Sequence, residues 1–231
     1  MIVIPSHDRI DLLVKMVRRL CEIDLNGHEV LIVDTNSDSE YYQETVHHIA
    51  PWFLETHSNF KFVRKDYKCR DSGAFIHAYK NYPSERYIFL HDSVHINNPN
   101  FIVEMDSALD SADVVPVFNF GFGYDSYEQQ VWAEQKLPPI ESYPHFGIIG
   151  PMFGVHKHVL DKMPSDWLIE PTNKAEGCGM ERRWAVMFHL IGASVKFLDY
   201  IPPEDFWIYW EGGAKYSSQL QKYAHRVNKR M

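Results

Sequence analysis

Arg86-Tyr87-Ile88-Phe89-Leu90-His91-Asp92-Ser93-Val94-His95-Ile96 is the stretch on which the reading of the fold turns. Its apolar part, Tyr87 to Leu90, is short, aromatic and aliphatic, and lies between Pro83 and Asn97-Asn98-Pro99. A run of this length between turn formers reads as a buried strand of a parallel sheet rather than as helix. In open α/β sheets ligands bind beyond the carboxyl ends of the strands. Asp92, just past Leu90, therefore either caps the next turn or stands where such a fold places chemistry.

Upstream, strands and helices alternate. Ile2-Val3-Ile4-Pro5 is a buried-strand pattern closed by Ser6-His7-Asp8-Arg9, and Ile10, Leu12, Leu13, Met16, Val17 and Leu20 then recur at helical spacing. Glu29 to Val33 predicts a second strand ending at Asp34, Tyr41 to Phe53 a helix, Phe60 to Val63 a third strand, and Ser72 to Tyr82 another helix. This order predicts an α/β fold with a mostly parallel sheet built from right-handed βαβ units. Lys68-Cys69-Arg70-Asp71-Ser72-Gly73 falls at a helix N-terminus, where free amides and the helix dipole attract phosphate; plain N-capping by Asp71 or Ser72 is compatible with that. No GxGxxG, GxxxxGK[ST] or GxSxG is present, so the main signals of dinucleotide-binding, P-loop and α/β-hydrolase folds are missing.

Downstream, Asp113 to Phe118 predicts a strand and Gly147 to Val155 a strand and turn, separated by a long aromatic loop from Gly121 to Phe146. Lys157 to Met163 predicts a helix. Arg182 to Leu190 predicts the strongest amphipathic helix, opened by Glu176 to Glu181 and closed at Gly192, and Val195 to Leu198 a last strand. The tail holds Phe206, Trp207, Tyr209 and Trp210, a Gly212-Gly213 hinge, and a predicted helix with Lys222, Arg226 and Arg230 on one stripe.

The 231 residues suit one domain. A net charge of −8 disfavours non-specific nucleic-acid binding. Three widely spaced cysteines and the lack of a leader-like start or a long apolar run predict a cytoplasmic protein with no transmembrane segment.

Together these pieces resemble the nucleotide-sugar glycosyltransferases of the GT-A fold, most like the inverting family-2 type, from Met1 to about Asp199. Val3-Ile4-Pro5-Ser6 is similar to the family's opening strand, and Val33-Asp34-Thr35-Asn36-Ser37 to its "VDDGS" element, whose acid reads the base. Arg70-Asp71-Ser72-Gly73, with Ala78 and Asn81, is similar to its "NxGxxxAxN" helix beside the diphosphate. His91-Asp92-Ser93 falls at the DxD metal motif, with one carboxylate where the family has two. Gly150 to Val155 is similar to the piece near the acceptor, and Met180-Glu181 to the family's "ED…G" helix, whose second acid is the catalytic base.

The resemblance implies a nucleotide-sugar-binding half over 1–98, an acceptor and catalytic half over 99–200 and a C-terminal lid and helix over 201–231. It implies a metal-dependent transfer of sugar from a UDP- or GDP-sugar to a glycan or lipid-linked acceptor hydroxyl. It implies Glu181 as base, and Pro5, Ser6, Arg9, Asp34, Arg70, Asp71, Ser72, His91 and Asp92 around the donor. Mn²⁺ or Mg²⁺ would sit on Asp92, with His95 a second candidate or merely a loop histidine. Glu181 at a helix start would have its basicity lowered by the dipole, and could otherwise serve only to stabilise that helix. Met152, Phe153, Trp207 and Trp210 would line the acceptor side, unless they pack the core. Two other readings stay open: a module that binds nucleotide sugar or glycan without turnover, and a sugar-phosphate nucleotidyltransferase. The second lacks its glycine-rich loop after the first strand.

Overall fold

The computed structural model describes residues 1–37, 40, 43, 57–65, 70–118, 121–148, 152–198 and 220–222, with the side chains of Arg70, His95 and 220–222 outside that description. Strands β1 (Ile2–Ser6), β2 (Val30–Asp34), β3 (Phe60–Arg64), β4 (Arg86–Phe89), β6 (Val114–Pro116) and β7 (Phe153–His156) form one sheet in the order β3-β2-β1-β4-β7-β6. The β1–β2, β2–β3 and β1–β4 pairs are parallel. β7 runs antiparallel to both β4 and β6, so parallel pairing ends at β4.

Successive side chains of a strand point to opposite faces. Ile2, Ile4, Val30, Ile32, Ile88 and Leu90 accordingly meet helices α1 (Ile10–Glu22) and α3 (Phe101–Leu109) on one face. Val3, Leu31, Val33, Tyr87 and Phe89 meet α2 (Arg70–Asn81) and the long helix α6 (Lys174–Leu190) on the other. Both faces are thus covered, which is why the strands read as continuous apolar runs. On β7, a Cβ added to Gly154 would stand 2.8 Å from the Met105 sulfur, so the glycine lets α3 approach.

Several expectations are corrected. The stretch Gly121 to Phe146 contains a helix, α4 (Tyr127–Glu134), capped by Ser126, whose Oγ accepts the Gln129 N–H at 3.2 Å. It escaped the periodicity test because Ala133 is the one buried residue in it. The helix from Lys157 is short, α5 (Lys157–Asp161). α6 begins at Lys174 rather than Arg182, capped by Asn173, whose Oδ1 accepts the Glu176 N–H at 3.1 Å. It is buried nearly all round from Gly179 to Phe188, not amphipathic there, because α2 and α4 both pack on it.

Arg183 lies fully inside. It donates to the carbonyls of Trp167, Ala133 and Gln135 at 2.6–2.8 Å and so closes the C-terminal end of α4. Val195 makes a single bridge to Val114 and the 195–198 stretch is not buried, so no strand forms there.

A second, two-stranded sheet pairs β5 (Val94–Ile96) antiparallel with β8 (Leu220–Lys222). Residues 220–222 are therefore strand where a helix was expected. Tyr41 and most of the expected 41–53 helix, Gly150, Pro151, residues 206–213, Arg226 and Arg230 lie outside the described residues. Among the described residues no helix is long and apolar enough to cross a membrane.

Candidate active site

Register places the polar ends of the strands in a row. Ser6 pairs with Asp34 and Asp34 with Arg64, so the last residues of β1, β2 and β3 stand side by side. Pro5 lies one step inside β1, opposite Val33. Asp34 is buried, and its Oδ1 accepts the Ser37 N–H at 2.9 Å and the Ser37 hydroxyl at 2.6 Å. That is an Asx turn, helped by Asn36 in the left-handed region at φ 61°. Arg64 Nε faces Asp34 Oδ2 at 3.6 Å, while Arg64 Nη2 donates to the Ser37 carbonyl at 2.7 Å. The Asp34 carboxylate thus forms the turn and also holds a neighbouring cation.

The turn after β1 is tied to the same group. Asp8, with φ 51°, donates its N–H to Ser37 Oγ at 2.9 Å. The Ser6 carbonyl accepts the Thr35 N–H at 2.9 Å and the Thr35 hydroxyl at 3.2 Å. The Ser6 hydroxyl oxygen is buried with no hydrogen-bond partner among the described residues. Arg9 then reaches across to the end of β4, its Nη1 donating to Asp92 Oδ1 at 3.2 Å.

Beyond β4, His91 and Asp92 are buried, and His91 Nδ1 stands 3.1 Å from Asp71 Oδ2 in the first turn of α2. Ser72, beside Asp71, accepts the indole N–H of Trp184 at 3.1 Å, which docks α2 onto α6. Arg19 of α1 donates to the carbonyls of Ile96 and Asn97, fixing the chain that leaves Asp92. Ser6, Arg9, Asp34, Asp71, Ser72, His91 and Asp92 are therefore gathered at one end of the sheet. Arg70 opens α2 and His95 stands in mid-β5, but the side chains of both lie outside the described residues.

Glu181 lies in the third turn of α6, not at its start. The dipole argument falls away, since that effect is confined to the terminal turn. The first-turn acid is Glu176. Burial raises its pKa, but hydrogen bonds from Thr172 and Asn173 outweigh that and hold it below the usual range. Glu181 Oε2 accepts from Arg182 Nη1 at 2.9 Å. Arg182 in turn donates to the Gly123 carbonyl and the Asp125 carboxylate, both at 3.1 Å at the shortest, and so ties the aromatic segment carrying Phe122 and Tyr124 beside Glu181.

Sequence reasoning passed over Arg182 and Arg64, and quoted Ser37 within its motif without giving it a role. Arg64 had one local signal, its place at the end of a strand. Phe153 is fully buried with ring centroids 5.0 Å from Phe89 and 5.3 Å from Trp184, so it packs the core, and Met152 is buried beside it in sequence. Trp207 and Trp210 lie outside the described residues.

Among the described residues no three His, Cys, Asp or Glu side chains converge as a complete metal site. What is present is the buried Asp92 carboxylate and, at the next position in the sequence, the buried Ser93 hydroxyl, which has no hydrogen-bond partner among the described residues. These oxygens suit a hard cation whose other positions are filled by phosphate and water.

The sequence profile described as glycosyl transferase family 2 matches residues 1–163. A search of curated protein sequences finds no match. Among solved structures, the chain is similar to residues 1–349 of S. aureus TarS in complex with UDP. That match has TM-score 0.52 and 16% identity, over 89% of this chain and 61% of that one. It is also similar to GalNAc-T7 with UDP, GalNAc and Mn²⁺, with TM-score 0.61 and 11% identity over 85% of this chain and 41% of that one. A third is the mannosyltransferase PcManGT from Pyrobaculum calidifontis with GDP-Man and Mn²⁺, with TM-score 0.59 and 15% identity over 90% and 59%. The chain spans less than two thirds of each of these three, and the likeness is one of fold.

Proposed function

The chain belongs to glycosyl transferase family 2, and from that membership we propose that it moves a sugar from a nucleoside-diphosphate sugar to an acceptor hydroxyl with inversion. One observation carries this reading. Asp34, Arg9, Asp92, His91 and Asp71 meet at the carboxyl ends of β1, β2 and β4 and the N-terminus of α2, where an open α/β sheet binds its ligand. The UDP, GDP-Man and Mn²⁺ in the similar structures support the same donor class and a divalent cation.

In this reading Asp34 and the Ser6 turn hold the base and ribose, and the α2 N-terminus faces the diphosphate. Asp92 and the Ser93 hydroxyl would hold Mn²⁺ or Mg²⁺, and the ion would supply the positive charge that neutralises a leaving diphosphate. The acceptor oxygen attacks the anomeric carbon, the bond from that carbon to the diphosphate oxygen breaks, and its electron pair leaves with the nucleoside diphosphate. Glu181 takes the acceptor's proton on its carboxylate. Arg182 holds Glu181 and the 123–125 segment in one frame, which supports an acceptor side formed with the neighbouring aromatic residues Phe122 and Tyr124.

A screen of UDP- and GDP-sugars with a panel of glycan and lipid-linked acceptors, with and without Mn²⁺, tests the proposal. Metal-dependent release of UDP or GDP is the expected result. A second reading, a module that binds donor without turnover, is favoured by the single carboxylate at the metal position. Donor binding with no release across the screen would establish it instead.

A further inference from the structure

We propose that Arg9 is a displaceable counter-cation for Asp92. The guanidinium neutralises the carboxylate until a divalent cation replaces it, so that metal binding moves the turn between β1 and α1. This rests on the reading of Asp92 as the metal carboxylate.

A buried carboxylate needs a partner, because desolvation of an isolated charge is very unfavourable. The Asp92 side chain is 2% exposed and Arg9 supplies a positive charge from 3.2 Å. The contact is a single hydrogen bond from one Nη rather than the two-pronged fork that arginine makes with a carboxylate in its strongest pairs. Arg9 is 29% exposed, so its head already reaches water and has a way out. It occupies the N-cap position of α1 without making a side-chain cap, so moving the side chain leaves the helix intact. A divalent cation on the same carboxylate would repel the guanidinium at close range, and the two cations would compete for Asp92 Oδ1.

The turn also leads elsewhere. The residue before Arg9, Asp8, is bonded through Ser37 Oγ to Asp34. Asp34, Ser37, Asp8, Arg9 and Asp92 thus form one chain of contacts from the end of β2 to the end of β4. A shift of Arg9 off Asp92 is therefore felt at Asp34, where the proposed reading seats the base.

The test is Mn²⁺ binding by the whole protein, followed by the electron paramagnetic resonance of free Mn²⁺, without nucleotide and again with UDP. Arg9→Met keeps the length and removes the charge. It should bind Mn²⁺ at least about tenfold more tightly than wild type, the shift expected when one competing ion pair is removed. Arg9→Lys retains a cation and should stay close to wild type. Equal or weaker binding by Arg9→Met overturns the inference.

Asp92→Asn separates the two ideas. Unchanged Mn²⁺ affinity in that variant overturns the metal role of Asp92 itself. Loss of Mn²⁺ in Asp92→Asn without a gain in Arg9→Met overturns only the role of Arg9. Should Arg9→Met fail to fold, wild-type protein labelled with ¹⁵N-arginine answers the same question. The Nε–H resonance that is missing from Arg9→Lys should move as Mg²⁺ is added, and an unmoved resonance at saturating Mg²⁺ overturns the proposal.

Discussion

Glu181 presents a carboxylate whose one oxygen is held by Arg182, on a helix turn that burial keeps rigid. A general base needs that fixed position more than it needs an unusual basicity. Glu181→Gln keeps shape and removes proton acceptance, so transfer should fall by roughly 10²–10⁴-fold with nucleotide affinity little changed. Transfer assays beside calorimetry with UDP or GDP would check both halves, and a normally active variant would exclude the role. Asp34 and Asp92 were legible as candidates because each follows a buried run that had to be a strand. The pair Arg9–Asp92 was not, because the partners are separated by 83 positions and no local pattern carries that distance. The same holds for Asp71 and His91. Phe153 shows the opposite limit: its sequence position suited an acceptor contact, yet burial among Phe89, Trp184 and Phe188 gives it to the core.

At the scale of elements, α6 and α4 meet where Gly179 lies against Trp132, and an added Cβ would stand 2.7 Å from the indole ring. A rigid ring cannot fold away as a flexible chain end would. Gly179→Ala should therefore push α4 outward and destabilise the protein by about 1–3 kcal/mol. Because Glu181 is two residues on and Arg182 ties it to Asp125, transfer should fall as well. A thermal melt together with the transfer rate reads both, and an unchanged melt would show that the contact yields freely.

The parallel half of the sheet was legible from apolar runs buried on both faces. The reversal at β7 was not, since pattern alone fixes which residues are buried and leaves strand direction to the connection. The helix α4 was hidden by its polar composition and the early start of α6 by the uneven spacing of its apolar residues before Gly179.

For the molecule as a whole, the end of the sheet opposite the candidate site carries its own buried charge. Burial pushes the Asp106 carboxyl up. Hydrogen bonds from His28 at 2.6 Å and Asn26 at 2.9 Å, with the nearby charges of His28 and Arg86, outweigh that and leave its pKa below the usual value. A depressed folded-state pKa adds stability above the unfolded value of about 3.9, and that contribution is lost as pH falls through the folded value. Melting temperatures of wild type and Asp106→Asn should thus differ most at pH 5 and above and converge toward pH 3. A constant gap would show that the pairing contributes nothing through its charge.

The antiparallel β5–β8 pair brings the C-terminal segment to the strand that follows Asp92. Deletion of the residues after Gly212 should lower sugar transfer and raise the ratio of donor hydrolysis to transfer, as measured by product analysis. If both rates survive, the segment has no part in excluding water. That same pair has a consequence for the shortened chain in solution. With β8 gone, β5 keeps a row of amide and carbonyl groups facing outward. An open strand edge of that kind is a template on which a second chain can pair. The truncated protein should therefore self-associate more strongly with rising concentration than the intact chain, in which β8 fills that edge of β5, and the difference should be visible as increased light scattering.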